Sequence, residues 1–102
     1  MANWIRLGAA SEVPDGQGRI FDAAGNQVAV FNVQGAFHAI DNTCLHQGGP
    51  LGEGDLDGVI VTCPWHSWGY NVTTGKTTMN EAMGVKKYPV ELRGDEIFVD
   101  VS

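Results

Sequence analysis

No stretch of about 11 residues in this chain carries the 3.6-residue apolar period of an amphipathic helix. Short β-type runs separated by turn chemistry recur instead. Trp4 to Leu7 alternates loosely. Arg19–Asp22 and Gln27–Val33 flank the turn signal Ala24-Gly25-Asn26, and Ala36–Ile40 follows Gln34-Gly35. Val59–Thr62 is β-branched throughout, and Trp68–Val72 precedes Thr73-Thr74-Gly75-Lys76. Tyr88–Leu92 and Glu96–Asp100 flank Arg93-Gly94-Asp95, a closing hairpin. Many short strands at this spacing predict an all-β fold, an antiparallel β-sandwich or small barrel. At 102 residues the chain is expected to form a single domain, 1–102.

Three stretches resist assignment to strands: Asn42–Asp57, Cys63–Ser67 and Thr77–Lys87. Loops on a rigid scaffold are where function concentrates. The first two hold both cysteines and two of the three histidines. The chain has 14 glycines, near twice the usual share of ~7%, and many fall around these loops, where backbone can approach a ligand closely.

Charge and apolar content narrow the field. A net charge of −6 argues against nucleic acid, whose phosphates need a basic face. No apolar run approaches the ~20 residues of a bilayer-spanning helix, so no membrane association is expected. Residues Met1 to Val13 show no basic segment followed by an apolar one, and two cysteines allow at most one disulfide. The expectation is a cytoplasmic protein whose thiols are reduced or bound to metal.

Two short sets carry the chemistry: Cys44-Leu45-His46 and Cys63-Pro64-Trp65-His66, with 16 residues between His46 and Cys63. Each loop offers one thiolate and one imidazole. That donor set suits zinc or an iron–sulfur cluster. Zinc sites of the two-Cys, two-His type usually pair like donors on one knuckle. Mixing them suits a two-iron cluster, in which each loop contributes one ligand to each iron.

Cys44-x-His46 and Cys63-x-x-His66 at this spacing resemble the Rieske [2Fe–2S] family, in which two histidines replace two cysteines on one iron. Gly48-Gly49-Pro50-Leu51, Cys63-Pro64-Trp65-His66-Ser67-Trp68, Tyr70, Thr74-Gly75-Lys76 and Tyr88-Pro89-Val90 extend the resemblance over essentially the whole chain. The small ferredoxins that serve ring-hydroxylating oxygenases are similar throughout. The resemblance implies a Rieske-like fold with a cluster-binding subdomain at about 42–84, made of two ligand loops. It also implies one [2Fe–2S] cluster held by Cys44, His46, Cys63 and His66. Leu45, Gly48, Trp65, Trp68 and Tyr70 are the surrounding residues it singles out. Backbone N–H groups at Gly48, Gly49 and Gly69 are expected to approach the sulfurs.

Relatives from cytochrome bc complexes brace the two loops with a disulfide. Its cysteines would fall at Gly49 and Trp65, so this chain resembles the branch without that bridge. Trp68 stands where the cytochrome bc relatives place a serine hydroxyl near a sulfide, whereas Tyr70 matches the tyrosine they keep near a ligand thiolate. Fewer hydrogen bonds to sulfur imply a reduction potential toward the bottom of the Rieske range of about −150 to +300 mV. Two thiolates and two neutral imidazoles leave an oxidised cluster uncharged, where four thiolates would leave a dianion, so the added electron belongs on the histidine-bound iron. The exposed imidazole nitrogens can lose a proton at alkaline pH, which would lower the potential there.

Many relatives cover the cluster with a proline-rich third loop. The corresponding stretch here, Thr78–Gly84, has no proline, and ordinary packing is the expected use of Met79 and Met83. His38 is expected to be a scaffold residue. Glu53, Asp55 and Asp57 form an acidic group between the ligand pairs, a solvated turn or a steering patch for basic partners.

With two histidines given to the cluster, only His38 remains, too few for the two-histidine, one-carboxylate iron site of an oxygenase. No dinucleotide fingerprint is present. The resemblance therefore implies a one-electron carrier, not an enzyme. It would take electrons from an NAD(P)H-dependent flavoprotein reductase and give them to a terminal oxygenase acting on aromatic or related apolar compounds. A monomer is expected, since one surface must meet two partners in turn. The alternatives are a small Rieske subunit of an assimilatory NAD(P)H nitrite reductase and, in another class, a structural zinc-binding interaction domain.

Overall fold

A computed structural model describes residues 3–43, 49–65, 68–80 and 82–101. The fold is built almost wholly of antiparallel strands. They are β1 (Trp4–Ala9), β2 (Gly18–Ala23), β3 (Asn26–Val33), β4 (Ala36–Asp41), β5 (Asp55–Asp57), β6 (Ile60–Thr62), β7 (Gly69–Asn71), β8 (Lys87–Tyr88), β9 (Val90–Arg93) and β10 (Glu96–Asp100). Single 3-10 turns lie at Ala10–Glu12 and Leu51–Glu53. The strands form three sheets, ordered β1-β10-β9, β2-β3-β4-β8 and β5-β6-β7, and none of them closes on itself among the described residues. The sandwich half of the sequence expectation holds and the closed barrel does not.

The hairpin β2-β3-β4 follows from local chemistry. Both of its turns place two residues at positive φ: Ala24 (53°) with Gly25 (90°), and Gln34 (53°) with Gly35 (88°). Two such residues make the mirror-image turn whose twist matches that of the flanking strands. Ala24 and Gln34 take the left-handed conformation despite carrying a Cβ, and the side chain at the strand end holds each turn. Asp22 Oδ1 accepts from the Gly25 N–H at 2.9 Å, and Asn32 Oδ1 accepts from the Gly35 N–H at 2.8 Å. Register follows: Val28 pairs with Phe21 on one side and Asp41 on the other.

In β3, Val28, Ala29, Val30 and Phe31 are all fully buried. Side chains alternate between the faces of a strand, so this run feeds two cores. Ala29 and Phe31, with Ile40 of β4, pack with Leu51, Val61, Cys63, Tyr70 and Val72. Val28 and Val30, with Ala39, pack with Val13, Ala23, Tyr88, Ile97 and Val99. The central sheet is thus a shared wall, with the β1-β10-β9 sheet on one side and the β5-β6-β7 sheet on the other.

Two sequence expectations are corrected. Asp55–Asp57, placed within a loop, is a strand: Asp55, Leu56 and Asp57 pair with Thr62, Val61 and Ile60. Aspartate is disfavoured in strands, but here both aspartates are exposed while Leu56 packs against the core. The run Tyr88–Leu92 is two strands. Lys87–Tyr88 joins β4, and Val90–Arg93 joins β10. Pro89, which has no N–H to give a ladder, stands at the crossing between sheets, and its carbonyl accepts from Asp100 N at 3.0 Å.

His38 lies on β4, half-buried and paired with Phe31. Burial, and then the nearby Lys87 charge, hold its pKa below the ordinary value. A lowered histidine pKa disfavours the charged form in the folded state. Its contribution to stability is complete above the unfolded value of about 6.5 and is lost as pH falls through that value toward the folded one. An NMR titration of the His38 ring should give a midpoint below the free-histidine value. In the other core, Ile97→Ala should cost about 2–5 kcal/mol, read by thermal unfolding, and leave the visible spectrum of the folded fraction unchanged.

Candidate metal centre

The β6-β7 hairpin carries the second donor loop. Its strands pair Val61 with Tyr70 and Thr62 with Gly69, and the ladder runs one step further, with Cys63 N donating to Trp68 O at 2.8 Å. Cys63 therefore begins the loop with its backbone fixed, and it is only 1% exposed. Tyr70 is fully buried in the same apolar cluster, and half-buried Trp68 packs against that cluster. Trp65 is 56% exposed.

The first donor loop leaves β4 and returns to the 3-10 turn at Leu51. A bridge between Thr43 and Pro50 closes its stem, and Leu51 N donates to Asn42 O at 2.8 Å. Cys44, Leu45, His46 and Gly48 lie outside the described residues, as does His66. Of the four expected ligands, the structure thus places Cys63.

The two loops meet at Gly49. An ideal Cβ built there would stand 2.7 Å from Cys63 Sγ, 3.1 Å from Trp65 Cγ and 3.3 Å from Trp65 Cβ. Real Cβ atoms do not come so close to sulfur, so glycine is required for the first loop to lie against this thiol. The same distances show that positions 49 and 65 face each other, with Cβ positions close to the ~3.8 Å separation of a disulfide. Where the cytochrome bc relatives have a covalent bridge, this chain packs the base of an indole on bare backbone.

At Gly69 a Cβ would face Thr78 Oγ1 at 3.0 Å and Ile60 Cγ2 at 3.3 Å. The third loop is anchored there, with Thr78 N donating to Gly69 O at 2.9 Å. Sequence reasoning missed how this loop is held without proline. Thr77, 3% exposed, donates through Oγ1 to Asn80 O at 2.8 Å and accepts from Asn80 N at 3.1 Å. Asn80 Oδ1 accepts from Ala82 N at 2.9 Å, and Thr77 N donates to Met83 O at 2.9 Å. The signal was available in Thr77-Thr78-Met79-Asn80, since threonine and asparagine side chains cap their own turns. Met79 and Met83 are not packed inside: they are 61% and 38% exposed. Glu53, Asp55 and Asp57 are all exposed, on and just before the edge strand β5.

The Rieske [2Fe-2S] domain model matches residues 3–89. The chain belongs to this family and has the family's single [2Fe–2S] cluster. The residues present suit it. Cys63 is a buried thiol in a cradle that any side chain at Gly49 would fill, and the sequence supplies two thiolates and two imidazoles for two irons. The naphthalene 1,2-dioxygenase system ferredoxin component of Pseudomonas aeruginosa is 31% identical, with 97% of this chain and 96% of that protein covered. A chain of the complex of reduced oxygenase and oxidized ferredoxin in carbazole 1,9a-dioxygenase is 32% identical, with a TM-score of 0.86 and coverage of 95% and 92%. The putative NADH-dependent nitrite reductase small subunit of Mycobacterium tuberculosis gives a TM-score of 0.91 at 22% identity, with coverage of 100% and 97%, a likeness of fold.

Gly49→Ala is the direct test of the close approach. Overpacking at this contact should cost about 1–3 kcal/mol and lower the iron and sulfide retained per chain, measured on protein purified beside the unsubstituted form.

Proposed function

We propose that this protein is a one-electron carrier of a ring-hydroxylating dioxygenase system. It accepts electrons from an NAD(P)H-dependent flavoprotein reductase and delivers them to a terminal oxygenase acting on an aromatic or related apolar compound. The observation that carries this reading is the contact of Gly49 with Cys63, which sets the two donor loops side by side. Cys44 and Cys63 would hold one iron and His46 and His66 the other, within a cluster-binding subdomain at about 42–84 of a single domain spanning 1–102. The cluster supplies a centre that gains and loses one electron.

The chain's own residues do the rest. Cys63 and Tyr70 sit inside an apolar core that excludes water from the thiolate side. Trp65, Met79 and Met83 present exposed apolar surface on the second and third loops, suited to the small, short-lived contacts of electron transfer. Glu53, Asp55 and Asp57 add an exposed acidic edge that draws in basic partners. The net charge of −6 also fits such partners and argues against nucleic acid. No helix among the described residues is long and apolar enough to cross a membrane, and we place the protein in the cytoplasm as a monomer. The second reading, a nitrite reductase small subunit, rests on the fold likeness to the Mycobacterium tuberculosis protein. The carrier reading is preferred because ferredoxin relatives match at 31–32% identity.

Purified protein should be red-brown, bleach on reduction and then give a rhombic electron-spin resonance signal. A colourless zinc protein would refute the redox reading. Reconstitution with a flavoprotein reductase and ring-hydroxylating oxygenases should give substrate-dependent NAD(P)H consumption. Activity only with a sirohaem nitrite reductase would select the other reading. Neutralising Glu53, Asp55 and Asp57 together should slow transfer by about tenfold at low salt and far less at high salt. A salt dependence equal to that of the unsubstituted protein would remove the steering role.

A further inference from the structure

We infer that Asn42 is the positioning residue that sets the geometry of the first ligand loop. It is a polar residue only 3% exposed, immediately after β4 and just before the loop that carries Cys44 and His46. Every polar group of Asn42 is engaged in one of two directions. Toward the central sheet, its backbone N–H donates to Gln27 O at 3.1 Å, and Nδ2 donates to Gln27 Oε1 at 3.4 Å. Toward the far end of the loop, its carbonyl accepts from Leu51 N at 2.8 Å, and Oδ1 accepts from Gly52 N at 2.7 Å. One side chain and its own peptide groups therefore tie the outgoing stem of the loop, the returning stem and strand β3 together.

The packing leaves no slack around this tie. A Cβ at Gly52 would stand 3.0 Å from Asn42 Oδ1 and would strike Ile20 Cγ1 of β2. Leu51 is fully buried in the core that also holds Cys63. The bond from Gly52 N to Oδ1 is itself buried, and a buried amide that loses its acceptor carries the whole desolvation penalty. The contacts of Asn42 among the described residues are with the stems of the loop and with β3, so it acts through the loop. With both stems pinned to β3 and to the Leu51 turn, the span from Thr43 to Pro50 has fixed ends, and Gly49 is delivered against Cys63 Sγ. An acceptor missing at position 42 leaves, among the described residues, the Thr43–Pro50 bridge and the Leu51 bond to close the loop.

This inference rests on the cluster reading above, and the experiment separates the two. The rate at which an iron chelator bleaches the cluster is measured for the unsubstituted protein, Asn42→Ala, Asn42→Asp and Val99→Ala, alongside thermal unfolding of each. Asn42→Ala should release its cluster about tenfold faster. Asn42→Asp keeps an oxygen where Oδ1 stands, while the exposed Gln27 can turn its amide to donate, and it should recover most of the original rate. Val99→Ala lowers stability through the other core and should release within about twofold of the unsubstituted protein. Asn42→Ala releasing no faster than Val99→Ala, or Asn42→Asp no slower than Asn42→Ala, would overturn the proposal. Should Asn42→Ala not fold, hydrogen exchange at the Gly52 amide of the unsubstituted protein decides instead. Strong protection supports the tie, and exchange at the rate of an open chain removes it. Unsubstituted protein that binds no cluster would refute the cluster reading rather than this one.

Discussion

The structure depends on one strand with two dry faces. Because Val28 and Val30 point one way and Ala29 and Phe31 the other, β3 belongs to both cores at once. A strand with one wet face would support only one layer. Here the central sheet carries the β1-β10-β9 sheet on one side and the donor-bearing β5-β6-β7 sheet on the other. The loops are therefore referenced to the most buried part of the molecule. Phe31 and Ile40 share a core with Cys63 and Tyr70, so the thiol's position is set by packing that runs back to the middle of the fold.

Backbone approach, rather than covalent bracing, brings the donor loops together. At Gly49 the absence of a side chain allows the first loop to rest on the Cys63 sulfur and on the base of the Trp65 ring. Such a contact has no disulfide to hold it and relies on stems fixed elsewhere. The stems are fixed by polar groups of low exposure: Asn42 at the first loop and Thr77 at the third. Both residues spend their side chains on nearby backbone, the use in which asparagine and threonine are strongest. The third loop shows that a hydrogen-bonded turn can do what proline does in relatives, holding Met79 out to solvent from a firm base.

Much of the fold was legible in the sequence. The hairpins β2-β3 and β3-β4 were marked by Ala24-Gly25 and Gln34-Gly35, because positive φ at consecutive residues is a local demand that residue type announces. The closing hairpin of β9 and β10 was legible at Gly94, which takes a positive φ of 63° between the two strands. β5 was hidden, since Asp-Leu-Asp has no strand propensity and gains its pairing only from the neighbouring β6. The division at Pro89 was hidden too, because a proline within a β-type run does not say which sheet each half will join. The burial of β3 on both faces was present as an unbroken apolar run, but such a run does not name the elements that cover it.

For the centre itself, the sequence alone supplied the proposed chemistry. Cys44, His46, Cys63 and His66 are the donors proposed from residue type and spacing, and those are properties of the chain rather than of its folding. Tertiary structure decided what stands around the donors. It set Gly49 against Cys63, turned Gly69 toward Thr78, left Trp65, Met79 and Met83 exposed, and tied the first loop through Asn42 to Gln27 and Gly52. These contacts join residues from Gln27 through to Thr78. Donor identity can be read locally because coordination chemistry belongs to single side chains. Which backbone meets which sulfur cannot, because it follows from the stacking of three sheets on one another.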